Sequence, residues 1–153
     1  MSANNAKLKS SSHWDEEQIA AFLNECVIPV RLACVNGAGR PLVCSLWFMY
    51  DDDAIWCATK DSSDVVGFLK GSADVGFEVA PESMPYRGVR GQGKAQILPA
   101  RGVPVLGRLM DRYLGTRESE FAQWLFAQAT DEVAIRIDPD WFTAWDFSKR
   151  MSA

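Results

Sequence analysis

The chain contains one histidine and four cysteines, and their placement leaves little room for the commonest side-chain chemistries. His13 lies in a polar stretch ahead of the first apolar periodicity, where an imidazole is expected to be exposed. A Ser-His-Asp or Cys-His hydrolase needs its imidazole within hydrogen-bond reach of the nucleophile, and zinc hydrolases usually need more than one histidine. Cys26, Cys34, Cys44 and Cys57 have neither Cys-x-x-Cys spacing nor a histidine nearby, and each sits among apolar neighbours. They read as small buried hydrophobes. There is no G-x-S-x-G elbow, Walker-A loop or H-E-x-x-H,. Any enzyme here is expected to take its reactive group from a cofactor, the protein supplying orientation and electrostatics.

The segment Thr59-Lys60-Asp61-Ser62-Ser63 gathers polar groups with a cation at the start of a helical pattern. Hydroxyls, helix N-terminal N–H groups and a lysine charge are the parts of a phosphate cradle. The same residues also fit simple N-capping by Ser62 or Ser63, with Lys60 merely exposed. Residue types alone leave both readings open.

The elements that must position these residues follow from periodicity. Ile19, Phe22, Leu23 and Cys26 form one helical stripe behind acidic Asp15, Glu16 and Glu17, and Pro29 stops it,. Residues 30–35, 42–49 and 54–59 are short runs rich in β-branched and aromatic residues, parted by Asn36–Gly39 and Asp51–Asp53,. They are expected to form an antiparallel meander, with both faces of 42–49 covered as in a small barrel. A short helix over 64–70 is expected to end at Gly71, followed by strands over 74–80 and 86–98,. Gly88, Gly91 and Gly93 in the second of these suggest a sharp bend or a close approach of ligand or backbone. Leu106, Leu109, Met110 and Tyr113 mark one helix ended by Gly115, and Phe121, Trp124 and Leu125 another beginning near Thr116. Strands over 133–137 and 141–147 close the chain, separated by Asp138-Pro139-Asp140.

A length of 153 residues predicts a single domain over about 13–150 behind a loosely held leader, residues 1–12,. Forty-eight per cent apolar residues suffice for a core, and a net charge of −4 lacks the basic footprint of a nucleic-acid binder,. With neither a long apolar run nor a signal-like N-terminus, no membrane partner is expected, and the cytoplasm is the expected location. The fold class is mainly β: a barrel of about six to seven antiparallel strands with about four short helices.

That order of elements, with these residues in it, resembles the FMN-binding split-barrel superfamily, the pyridoxamine 5′-phosphate oxidase-like proteins, over roughly residues 14–148. The motifs that carry the resemblance are the strand RLACVNGAGRPLVCSLWFMY, Thr59 to Ser62, Gly93-Lys94-Ala95 and Trp145-Asp146. The resemblance implies a split-barrel homodimer with flavin in an interface groove. The ring would rest on the second strand, at Val43, Cys44, Ser45, Leu46 and Trp47, with Trp145 near it. The phosphate would be held at Thr59, Lys60, Ser62 and Ser63. Trp47, Trp56, Trp141 and Trp145 have two uses open to them, stacking on a flavin or filling the barrel, and packing is the default.

Departures from the family pattern sharpen the expectation. The basic run usual after the family's serine is Ser63-Asp64-Val65 here, so two positive charges are missing while Asp61 and Asp64 add negative ones. Arg87 and Arg90 on the neighbouring strand are the candidates to compensate. The chain ends WDFSKRMSA, without the Arg-x-His segment of true pyridoxamine-phosphate oxidases, so vitamin B6 oxidation is not expected. Haem-degrading relatives use a histidine ligand, and only His13 is present. The expectation is therefore an FMN-dependent oxidoreductase acting on a small molecule. A non-catalytic flavin- or haem-binding module, an F420-dependent reductase and a barrel without cofactor remain as alternatives.

Overall fold

A computed structural model describes residues 7–152. Lys7–Leu8 form β1, lying parallel to residues Trp141 and Phe142, and the Lys9 and His13 N–H groups donate to the Phe142 and Ala144 carbonyls. This part of the expected leader is thus tied to the sheet, while residues 1–6 lie outside the described residues. Helix α1, Glu16–Glu25, starts at Asp15 with a reciprocal cap: Gln18 N–H donates to the Asp15 carboxylate (2.8 Å) and Asp15 N–H to Gln18 Oε1 (2.9 Å),. Its far end is closed from a distance, because the Arg112 guanidinium donates to the Leu23, Asn24 and Cys26 carbonyls. A cation there satisfies the last carbonyls and opposes the helix dipole.

Strands β2 (Val30–Val35) and β3 (Pro41–Leu46) form a hairpin turned by Asn36, whose side-chain oxygen accepts from the Ala38 and Arg40 N–H groups. Here the chain departs from the expected meander. Residues 42–49 are not one strand: β3 ends at Leu46, and β4 (Met49–Asp51) pairs with β5 (Ala54–Lys60) across Asp52 and Asp53, both at positive φ. The sheet runs β3-β2-β6-β7-β8-β5-β4, so β3 and β4 occupy opposite ends of it. The break at Trp47–Phe48 is held from outside. Phe48 N–H donates to Tyr113 Oη (3.0 Å), the Tyr113 hydroxyl donates to the Ile28 carbonyl (2.7 Å), and Trp47 stacks on the Tyr113 ring at 4.9 Å. A tyrosine 65 residues away thus decides where the strand stops.

Helix α2 spans Asp64–Gly71 and passes through Gly71 to a cap at Ser72, one residue beyond the expected stop. Strands β6 (Asp74–Val79) and β7 (Arg87–Leu98) follow, then α3 (Gly102–Leu114), ended by Gly115 at φ +71°, and α4 (Glu120–Ala127), capped by Ser119. The last strand is a second correction. Glu132–Asp146 is one continuous strand, β8, pairing with β7 along its length and with β5 along its first half. Pro139 does not end it, because the register shifts by one residue opposite Gln92 and Gly93, and this bulge accommodates a residue with no N–H,. Gly93 is needed there, since a Cβ would run into the Asp138 carbonyl. At Gly91 a Cβ would meet the Trp141 carbonyl and the Phe77 ring, so these glycines admit the protein's own backbone and rings. A short helix α5 (Ser148–Met151) completes the chain.

The described residues form an open, curled, seven-stranded antiparallel half-barrel with β1 added alongside, mainly β, with five helices. Ile19, Leu32, Phe48, Ile55, Ile135 and Ile137 sit in the main core inside the curl. A second cluster under α3 joins Trp56, Val105, Leu109 and Ala134. Among the described residues no helix is long and apolar enough to cross a membrane.

Candidate functional site

The break after β3 turns Ser45, Leu46 and Trp47 toward the C-terminal end of β5, and α3 and α4 close over the space between them. The resulting cleft measures about 330 Å³. Leu106, Leu125, Trp47 and Trp124 give it apolar walls, and Thr59, Lys60, Gln128 and Glu132 give it one polar end. Trp124 is 55% exposed and Phe121 51%, and their rings stack on each other at 6.1 Å and 16°. The stacked pair extends the apolar wall of the cleft to the surface and offers a face against which a flat ring can pack,.

The polar end is set by strand register. Lys60 on β5 faces Glu132 on β8, and the Lys60 ammonium reaches Asp131 at 3.4 Å. Glu132 Oε2 is buried without a hydrogen-bond partner. Burial raises the Glu132 carboxyl above its ordinary range, the Lys60 charge opposes that, and the Asp131 carboxylate adds to it. A half-buried carboxyl at the end of an apolar cleft is the kind of group that functional sites collect.

Of the residues expected at a cofactor, the fold brings Ser45, Leu46, Trp47, Thr59 and Lys60 into this one cleft. The others lie elsewhere. Ser62 and Ser63 line a separate depression of about 660 Å³ with Asn36, Gly39 and Lys70. Ser63 is the N-cap of α2 by position but makes no side-chain cap bond, and its Oγ is buried without a partner. Val43, 64% exposed, stands on a shallow face of the sheet beside Arg31, Arg90 and Trp141. Cys44 points to the opposite side of β3, packed against the main core, and burial raises its thiol. Arg87 pairs in register with Asp146, and Trp145 lies across Gly88 under the Arg90 guanidinium at 5.3 Å. Arg87 and Trp145 are therefore not cleft residues.

The electrostatics around the expected cradle are acidic. Lys60 is paired with Asp131 and Lys70 with Asp61 (3.3 Å), while Asp64 and Glu132 add further carboxyls. A phosphate dianion placed there meets carboxylates and cations already engaged. The residues of this chain fit a flat ring and do not fit a phosphomonoester dianion.

Among the cleft residues that sequence reasoning did not place at a site are Glu132, Gln128 and Trp124. Trp124 carried a signal. On α4 the fully buried residue is Ala122, so the apolar stripe Phe121, Trp124 and Leu125 is larger than the contact the helix needs. Glu132 carried none, since its burial depends on α3 crossing the start of β8, where a Cβ on Gly102 would strike the Glu132 carbonyl.

No protein-family model matches the sequence, and no curated protein matches it. Solved structures do. The conserved hypothetical protein Rv2991 from Mycobacterium tuberculosis superposes with a TM-score of 0.79 at 24% identity, covering 97% of this chain and 94% of that one. A pyridoxamine 5′-phosphate oxidase candidate from Listeria innocua gives a TM-score of 0.62 at 15% identity, covering 87% and 98%. The fold is the pyridoxamine 5′-phosphate oxidase-like split barrel. A structure named F420 reductase shares this split barrel, with a TM-score of 0.67 at 25% identity, covering 79% of this chain and 93% of that one.

Proposed function

We propose that this split barrel is a homodimeric oxidoreductase that holds the ring of a flavin-type cofactor in the cleft between β3, β5 and α4. The observation that carries the reading is the meeting of Ser45-Leu46-Trp47 with Thr59-Lys60 opposite an exposed Trp124. Such a cofactor, when bound, supplies hydride chemistry. The chain's own residues hold the ring between apolar walls, keep water from it, and present polar groups at one end. The substrate expected is a flat, weakly charged small molecule. True pyridoxamine oxidation does not fit, because the acidic surroundings offer no clamp for a substrate phosphate.

Homodimer formation is supported by the edge strand β3, which leaves Leu42 and Val43 exposed at 42% and 64%,. Light scattering of wild type and Val43→Asp tests it: the wild type is expected to be a dimer and the variant to dissociate.

FMN is the cofactor expected from the resemblance and the deazaflavin F420 is the alternative, and one observation bears on the phosphate of FMN. The pairing of Lys60 and Lys70 with carboxylates penalises a phosphomonoester dianion,. Parallel titrations with FMN, F420 and lumiflavin, the bare flavin ring, decide the matter. Lumiflavin is expected to bind more tightly than FMN. Tighter binding of FMN than lumiflavin would reveal a phosphate site. Failure of all three would remove the ring-binding reading.

A further inference from the structure

We propose that Glu132 is the hydrogen-bonding group that reads a ligand's edge in the cleft, its protonated carboxyl donating to flat ligands that present a carbonyl to it. The inference rests on the cleft being the ligand site. The geometry supports it in three ways. Glu132 lines the cleft at its polar end, while the walls beyond are apolar. Its Oε2 is sealed from solvent and receives no donor. An ionised carboxylate would spread its charge onto that oxygen with no hydrogen-bond donor on it, whereas a neutral carboxyl places its weakly accepting C=O there and keeps O–H on Oε1,. Finally, Glu132 starts β8 and pairs with Lys60 of β5 on a regular ladder, so its backbone is held in place.

The charged groups facing Glu132 do not cancel this preference. Lys60, from β5, favours the ionised form, but its ammonium is shared with Asp131, and the Asp131 carboxylate acts the other way. Arg101, in the turn before α3, lies over the Trp56 ring at 4.7 Å. Helices α3 and α4 present Leu106, Leu109, Trp124 and Leu125 to the cleft, all uncharged. The sum of these effects is a raised carboxyl with burial as its first cause.

A group of this kind distinguishes ligands by polarity at one edge. A protonated carboxyl donates to a ring carbonyl, and an ionised one repels its lone pairs. Binding of a neutral carbonyl-bearing ring should therefore weaken as pH rises and the proton leaves.

The test is lumiflavin binding, followed by its own fluorescence from about pH 5 to about pH 9, where the ring stays neutral. Wild type is expected to lose about tenfold in affinity across that range, roughly one hydrogen bond to a charged-or-neutral switch. Glu132→Gln keeps shape and an N–H donor but cannot titrate, so its affinity should not change with pH. If Glu132→Gln does not fold, glutamate-labelled carbon NMR of the wild type replaces it: one carboxyl should titrate above the ordinary range and move when lumiflavin is added. A pH-independent wild-type affinity overturns the role of Glu132 while leaving the cleft as the ring site. Absence of lumiflavin binding at every pH overturns the cleft reading and this inference together.

Discussion

Removing a single oxygen from the protein, in Tyr113→Phe, tests the device that separates β3 from β4. The hydroxyl accepts from Phe48 N–H at 3.0 Å and donates to the Ile28 carbonyl at 2.7 Å, with the Phe48 carbonyl a further 3.2 Å contact. Phe48 is fully buried, so water cannot replace the lost acceptor without opening the core. A hydrogen bond contributes about 1 kcal/mol net, and a buried N–H left without a partner costs about 1–3 kcal/mol. Tyr113→Phe is therefore expected to lose about 2–3 kcal/mol of stability, or roughly 5–10 °C in melting temperature for a domain of this size. The stacked contact with Trp47 at 4.9 Å survives in the variant, so the loss reads the hydroxyl rather than the ring. The assay is urea unfolding followed by tryptophan fluorescence, with the denaturant slope unchanged. Ligand affinity should fall as well, because Leu46 and Trp47 line the cleft next to the released break. A loss below about 0.5 kcal/mol would refute the reasoning and place the cause of the strand break within residues 46–49.

The other expectations are simpler. Trp124→Ala should weaken lumiflavin binding about tenfold in a fluorescence titration, while stability changes by less than about 1 kcal/mol, since the ring is 55% exposed,. Gly91→Ala should cost about 3 kcal/mol or more by thermal unfolding, because the new Cβ meets the Trp141 carbonyl and the Phe77 ring,. Tyr50 is pushed up to about 12 by burial, then by the Asp53 and Glu16 charges. The folded state binds that proton more tightly than the unfolded chain does, so the contribution is intact below about 10 and is lost as pH rises from there to about 12,. Stability measured along an alkaline series should fall in that window for wild type and less steeply for Tyr50→Phe.

Local pattern carried much of the architecture. Asp15 and Gln18 are spaced for the cap of α1, Asn36 and Gly39 for the β2–β3 turn, and Ile135 and Ile137 for the buried face of β8. Each is decided within a few residues, where hydrogen-bond reach and side-chain period act directly. The placement of these side chains was equally legible: His13 is exposed, Cys34 and Cys57 are buried, and Cys26 and Cys44 are half-buried against the core. Thr59, Lys60 and the end of β3 line one cleft.

Partners distant in sequence decided the rest. The pattern of 42–49 is that of one strand, and only Tyr113, arriving on α3, converts Trp47–Phe48 into a break and sends β4 to the opposite edge. Pro139 reads locally as a strand end, but pairing with β7 continues through it because Gly93 lets a bulge form. The cradle at residues 59–63 divides between two depressions because β5 ends at Lys60 and the chain turns away into α2. Glu132 shows the same physics most plainly. An acidic residue in the sequence is solvated by default; the crossing of α3 at Gly102 and the sealing of Oε2 bury it, and burial outweighs the opposing charge of cross-strand Lys60 to make it a raised carboxyl beside an apolar cleft. Burial is a property of the neighbours that tertiary structure brings, and the chemistry of this site depends on burial.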